Sequence, residues 1–353
     1  MEVPSGRGVH EPDPALAVEA RGLRKVFRRG TVEKTAVDGV DLRVPRGHIT
    51  GLIGPNGAGK STLVAMLATL MRPTAGDAWI AGHSVVSDAR GARLALSFNA
   101  SAGERGFYWR LNGFQNLEFF AALQGLDARS ARDRARWCLQ RVGLEPDMRL
   151  RFGEFSSGMK RRMNVARALL VDRPIYLFDE PTSGVDPHSG EVIRTILRDL
   201  RADGRTVVLV THDMGEVTEL CDEVVMLYGG KSIRQDSPEQ LRRRVRTTAI
   251  EVEVAELSQT DAVATGLRRL PEVEEVTHSA DGRLRVSTAD PESDVRALLR
   301  WAAAGSVPVS GVSIVRPRLE DAFVSLVEEA TGEAAELIAR QLAAPTARAP
   351  RHP

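Results

Sequence analysis

The nonapeptide GPNGAGKST at 54–62 leaves a chain few ways to fold. It follows the apolar run HITGLIG (48–54) and leads into LVAMLATLM (63–71), so a strand must enter a glycine-rich turn that opens directly into a helix. Gly54, Gly57 and Gly59 let the backbone turn tightly, aiming successive N–H groups at one anionic centre. The helix beginning near Lys60 adds the positive end of its dipole. The spacing therefore reads as a phosphate cradle, with Lys60 a mobile charge for β- and γ-phosphates and Ser61 a hydroxyl for Mg²⁺. Leu63, Met66, Leu67 and Leu70 recur at helical spacing, which predicts a buried stripe beneath the loop.

Such a cradle needs an acidic partner at the end of a neighbouring buried strand. PIYLFDE (174–180) supplies one, its apolar residues running into Asp179 and then Glu180. Asp179 suits the Mg²⁺ shell. Glu180 points to the other side because side chains alternate along a strand, toward an attacking water. A carboxylate there is a general base, a role worth about 10²–10⁴-fold in rate. His212 closes the next apolar strand, RTVVLVTH (205–212). A lone histidine at a strand end is by default structural. In an α/β sheet, however, ligands gather at the carboxyl ends of strands, which gives His212 a γ-phosphate or water-orienting role.

From about 16 to 236, short apolar strands alternate with amphipathic helices, the pattern of an α/β domain. One helix opens at Asp186-Pro187, an N-cap followed by proline at the first helical position, and ends at Asp203-Gly204. After Ser237-Pro238 a second unit reads βαββαβ, a ferredoxin-like split βαβ. The expected organisation is a disordered arm (1–14), an α/β domain (15–236) with a helical subdomain at about 100–170, an accessory α+β domain (237–330) and a disordered tail (331–353).

Composition narrows the function. With 48 basic against 47 acidic residues, net charge +1, there is no general case for nucleic-acid binding. Cys138 and Cys221 are far apart, which argues against disulfides and a cysteine zinc site and fits a reducing cytosol. No stretch approaches the roughly 18 apolar residues of a membrane span. A soluble chain is expected, with any membrane crossing left to another polypeptide.

One segment looks miswired. FSSGMKRRMNVARALL (155–170) opens a helix, yet Lys160, Arg161 and Arg162 occupy its first turns, where the dipole disfavours cations. Taken with the other motifs, it resembles part of the ATPase subunit of an ATP-binding cassette (ABC) transporter over about residues 16–236. GPNGAGKST resembles the Walker A loop, FSSGM (155–159) the LSGGQ signature, and IYLFDEP Walker B with its catalytic glutamate. SGVD (183–186) resembles the D-loop, THD (211–213) the histidine switch, and Phe27 the aromatic that stacks on adenine.

The resemblance implies a P-loop NTPase fold and the cofactors ATP and Mg²⁺. Phe27, Gly54, Pro55, Asn56, Gly57, Ala58, Gly59, Lys60, Ser61, Thr62 and Asp179 would surround the nucleotide, with Ser61 and Asp179 at the metal. Glu180 and His212 would be catalytic, and Asp186 would belong to the D-loop. Two such domains, in a homodimer or heterodimer, sandwich two ATP molecules head-to-tail. Each ATP lies between one domain's Walker A and the other's Ser156, Ser157 and Gly158. The cations at 160–162 would add positive potential beside that second ATP. Further implied are an integral membrane permease as partner, no nucleic acid, and a cytoplasmic site on the inner face of the cell membrane.

Two departures stand out. Ser157 replaces the first signature glycine, and Met159 the glutamine. The Q-loop glutamine, due after LALSF (94–98), is missing; Asn99 and Glu104 are the candidate substitutes. Phe107, Tyr108 and Trp109 follow, either as a local core of the helical subdomain or as an exposed patch for a membrane partner. RPRLEDAF (316–323) resembles an appended domain of drug, antibiotic and polysaccharide exporters, so export of a drug, antibiotic, lipid or polysaccharide is expected. The main alternative is a non-transport cassette ATPase acting on DNA or ribosomes. Such proteins usually carry paired cassettes, coiled coils or zinc insertions, none visible in this sequence. A non-catalytic scaffold conflicts with Glu180, and no guanine-reading NKxD motif suggests a GTPase.

Overall fold

The computed structural model describes residues 11–101, 106–244, 249–278, 283–288, 290–305, 307–315 and 318–343. The chain falls into two compact units, residues 1–237 with 340–353, and residues 238–339.

In the first unit the order is β1 (Leu16–Arg29), β2 (Val32–Pro45), β3 (Ile49–Ile53), α1 (Lys60–Leu67), β4 (Ala75–Ile80), β5 (His83–Ser84), α2 (Ala89–Ala95) and β6 (Leu96–Asn99). Three helices follow, α3 (Gly113–Leu123), α4 (Ala128–Arg141) and α5 (Ser157–Ala168). The chain then returns through β7 (Ile175–Asp179), α6 (Pro187–Ala202), β8 (Thr206–Val210), α7 (Met214–Leu220), β9 (Glu223–Tyr228) and β10 (Lys231–Asp236). A six-stranded sheet runs β10-β9-β3-β8-β7-β6, parallel except for β10. A second sheet, β2-β1-β4-β5, is antiparallel. Every residue of β3, β7 and β8 is buried, as strands covered on both faces require. Their carboxyl ends, with that of β6, therefore share one edge of the sheet.

Leu63, Met66 and Leu67 are buried as expected, but Leu70 is 69% exposed. The helix ends at Leu67, and Thr69 adopts a left-handed φ of 57°, which carries Leu70 off the apolar stripe. At the other end, residues 1–10 of the expected arm lie outside the described residues. Asp13 is held in place, accepting from Arg43 at 3.0 Å and donating its N–H to Glu19.

The α4–α5 pair accounts for one of the misplaced cations. Arg162, in the first half of α5, donates to the carbonyls of Val142 (3.0 Å) and Gly143 (3.1 Å) at the end of α4. Arg134 on α4 donates in return to Leu169 and Leu170 at the end of α5. Each arginine satisfies the orphan carbonyls of the neighbouring helix, where a dipole favours positive charge.

The second unit contains α8 (Pro238–Arg244), β11 (Ala249–Val254), α9 (Thr260–Leu267), β12 (Val273–His278), β13 (Leu284–Thr288), α10 (Pro291–Ala304), β14 (Val309–Val315) and α11 (Leu319–Thr331). Its sheet, β12-β13-β11-β14, is antiparallel throughout, the split βαβ arrangement. Ile250, Val252, Leu284 and Val286 pack with Val263, Leu267 and Leu298. A further helix, α12 (Ala335–Ala343), occupies ground assigned to a disordered tail. Its Ile338 is fully buried, an apolar anchor that the surrounding Ala/Arg composition hides. Residues 344–353 lie outside the described residues. Among the described residues no helix is long and apolar enough to cross a membrane.

Replacing Arg162 by alanine is expected to cost about 1–2 kcal/mol, because the α4 carbonyls lose both a cation and two hydrogen bonds. A lowered urea midpoint, with an Arg134→Ala variant behaving alike, would register it.

Candidate functional site

Gly59, at φ 100°, turns the loop into α1, and a β-carbon there would lie 2.4 Å from the Ala36 carbonyl. Only glycine fits. Lys60 folds back over the loop, its Nζ donating to the carbonyls of Pro55 (3.0 Å) and Gly54. Burial pushes its pKa down, while the carboxylates of Glu180 and Asp179 push it back up. Pro55 and Ala58 are buried supports, whereas Asn56, Gly57 and Ser61 are exposed. In front of the loop opens a cavity of about 610 Å³ whose lining includes Phe27, Ser61, Thr62, Asp179, Glu180 and Arg161. Phe27 is 41% exposed on β1, with Lys25 over its ring at 5.5 Å.

Strand β7 delivers Asp179 to the cavity at only 8% exposure. Burial raises its carboxyl pKa; hydrogen bonds from the Ser101 hydroxyl and backbone and the charge of Lys60 oppose that rise. Glu180 is placed differently from the expectation. The strand ends at Asp179, so the pleat does not aim the next residue. Glu180 instead takes a left-handed φ of 52°, fixed by its N–H donating to Val210 at 2.8 Å. A non-glycine residue there costs of order 1–3 kcal/mol, strain of the kind that clusters at functional sites. It brings Oε2 within 2.7 Å of His212 Nδ1. That hydrogen bond raises the His212 pKa.

Ser156 caps α5, its hydroxyl accepting from the Met159 N–H at 3.2 Å. Ser157 is exposed at the first helical position and does not have a positive φ, so serine fits without strain. Gly158 is different: a β-carbon would lie 2.6 Å from both Asp186 Oδ2 and Ser189 Oγ. Asp186 caps α6 by accepting from the Ser189 N–H at 2.9 Å. The signature glycine and the D-loop aspartate are thus packed together within one chain.

The three cations do not form a free cluster beside the helix start. Lys160 lies over the Trp109 ring at 4.7 Å, Arg162 caps α4, and Arg161 points into this chain's own cavity. Within the chain each of the three cations therefore has a contact of its own.

Of the Q-loop candidates, Asn99 turns inward, 1% exposed, with Oδ1 accepting from Asn164 Nδ2 at 3.4 Å and Nδ2 unpartnered among the described residues. Glu104 lies outside the described residues. Two residues beyond Asn99, Ser101 lines the cavity together with Asp179. Neither Ser101 nor Arg161 belongs to a motif, and only their tertiary contacts single them out. The aromatic triplet splits: Phe107 stacks on Phe152 at 4.5 Å in the interior, whereas Tyr108 and Trp109 are 51% and 56% exposed.

A phosphate cradle, a carboxylate pair at an adjacent strand end and a histidine bonded to the second carboxylate define a P-loop nucleotide hydrolase. The chain belongs to the ATP-binding subunits of ABC transporters, a family of ATPases. The ABC transporter family profile matches residues 37–183, and that of the DrrA1-3-like ATP-binding protein C-terminal domain matches 237–327. The doxorubicin resistance ATP-binding protein DrrA of Mycobacterium tuberculosis is 32% identical over 92% of this chain and 97% of its own length. The linearmycin resistance ATP-binding protein LnrL of Bacillus subtilis is 31% identical over 88% and 97%. Among solved structures, a dimeric post-hydrolysis state of the ATP-binding cassette MJ0796 with ADP and Pi superposes with TM-score 0.57. It shares 27% identity and covers 62% of this chain and 98% of that one.

Because the folded His212 pKa is raised, its pair with Glu180 stabilises fully below about pH 6.5 and fades as pH climbs through the raised value. His212 is 52% exposed, so the gain is at most about 1 kcal/mol. His212→Ala is therefore expected to lower Tm by up to about 2–4 °C in mild acid and to leave it unchanged in alkali. Gly158→Ala is expected to destabilise measurably in the same melting experiment, since Asp186 and Ser189 must move.

Proposed function

We propose that this chain hydrolyses ATP to drive export of a drug or antibiotic through a separate membrane permease. The observation that carries the reading is the paired family match. Relatives that align along nearly their whole length, accessory unit included, are named for antibiotic resistance. An ATP-binding domain (15–236) would do the work, and the accessory domain (237–330) would mark the exporter type.

Lys60 and the loop N–H groups would bind the β- and γ-phosphates, with Phe27 against the adenine. The oxygen donors suit a magnesium site. Asp179 is a buried carboxylate, Ser61 a cavity hydroxyl, and no cluster of three or more metal-ligating side chains exists among the described residues. Mg²⁺ binds through one or two protein groups plus substrate phosphates, and neutralises charge developing on the phosphoryl oxygens. Glu180 would take a proton from the attacking water, and His212 would hold that carboxylate in place.

The dimeric state of MJ0796 supports a head-to-tail sandwich for this chain, in which Ser156, Ser157 and Gly158 would offer bare N–H groups to the ATP of a second subunit. The chain would work in the cytoplasm, on the inner face of the membrane.

Glu180→Gln is expected to keep ATP binding, lose at least about 10²-fold in phosphate release and accumulate as an ATP-bound dimer by light scattering. Near-normal release would remove Glu180 from the role of base. Lys60→Ala is expected to abolish ATP binding by calorimetry, and unchanged affinity would contradict the cradle.

A further inference from the structure

Arg161 is the one cation of the FSSGMKRR helix start that faces the nucleotide cavity of its own chain. Its Nη1 donates to the Ser101 carbonyl at 2.6 Å and its Nη2 to the Ser183 carbonyl at 3.1 Å. Both acceptors lie beside the reacting machinery. Ser101 lies two residues past Asn99, which pairs with Phe178 next to Asp179, and Ser101 and Asp179 line the same cavity. The Ser183 N–H donates to the Glu180 carbonyl at 3.3 Å. One guanidinium fork therefore binds two serines of the cavity wall, one near Asp179 and one bonded to Glu180.

We propose that Arg161 is the positioning residue of the ATP site, and that Ser101 supplies the polar contact at Asp179 for which Asn99 is turned the wrong way. The inference rests on reading the cavity as an ATP site. Glu180 has a particular need of it. A left-handed glutamate persists only where its surroundings over-determine it, and its N–H and C=O are pinned by Val210 and Ser183. The Val210 contact comes from the rigid sheet, whereas the Ser183 contact lies in a loop that Arg161 holds down. Two planar N–H groups meeting two diverging carbonyls is a task for guanidinium geometry; a lysine ammonium has the charge but not the fork. Because Arg161 springs from α5 close behind Ser156 to Gly158, the same side chain links the signature turn to the carboxylates of its own chain.

The test uses the full chain with Ser101→Ala, Arg161→Ala and Arg161→Lys. ATP affinity is measured by calorimetry without metal, Mn²⁺ affinity with bound ATP by electron paramagnetic resonance, and turnover as kcat and KM. All three variants are expected to bind metal-free ATP within about twofold of wild type, which also shows that they fold. Ser101→Ala is expected to weaken Mn²⁺ binding about 10-fold, as loss of a partner behind a metal ligand does. Both Arg161 variants are expected to lower kcat by about 10²-fold with KM little changed, since small misplacements of reacting groups are that costly. Wild-type kcat in Arg161→Lys would overturn the proposal, because charge alone would then suffice. A parallel fall in metal-free ATP affinity would also overturn it, making Arg161 a phosphate ligand. Unchanged Mn²⁺ affinity in Ser101→Ala would remove the serine's part. Failure of the wild type itself to bind ATP would overturn the ATP-site reading as well.

Discussion

A buried ammonium organises this molecule. Lys60 is 9% exposed, and a charge so placed is costly unless it is hydrogen-bonded and balanced. Two loop carbonyls supply the hydrogen bonds, and the carboxylates at the end of β7 supply the balance. That balance exists only because β8 alone separates β3 from β7 in the sheet, which sets the acidic strand end across from the lysine. His212, at the end of the intervening strand, is then bound to meet Glu180. Strand order, loop conformation and the composition of the cavity wall answer one electrostatic requirement. It is met only in part, since burial still depresses the Lys60 pKa and raises that of Asp179.

Most of this is legible in the sequence. The parallel sheet, the capped helix at Asp186 and the split βαβ unit follow from hydrophobic runs and local capping chemistry, both encoded within a few residues. The motif residues lie where spacing predicts because strand ends and tight turns fix them locally. What escaped was tertiary. The side-chain alternation used for Glu180 holds inside a strand but not one residue past its end. Asn99 looks like a shortened glutamine in sequence, yet its backbone position faces Asn164. Ser101 and Arg161 have no signature because their value lies in contacts made across more than 20 residues of chain. Leu70 and α12 miss for related reasons: a left-handed threonine redirects one leucine, and a single buried isoleucine anchors a segment of unpromising composition.

The helix that opens FSSGMKRR is the clearest instance of a local rule yielding to a tertiary one. Read alone, its early cations oppose its dipole. In the fold, Arg162 serves the dipole of another helix, Arg161 serves two loops, and Lys160 rests on an aromatic face. The unfavourable placement within α5 is offset by what each charge does elsewhere, while Ser156 and Gly158 keep the turn itself free of bulk.

The exchange of arginines between α4 and α5 also constrains how this region can change over evolutionary time. Each side chain must meet the end of the opposite helix at a fixed depth and on a fixed face. A one-residue insertion in a helix rotates everything beyond it by about 100° and advances it about 1.5 Å. Inserted between Arg134 and Val142, such a residue would change the cation's alignment with one helix end and the carbonyls' alignment with the other cation together. The two helices therefore share a single length register, and indels should accumulate in the connecting segment after Gly143 and before Ser156 rather than in either helix.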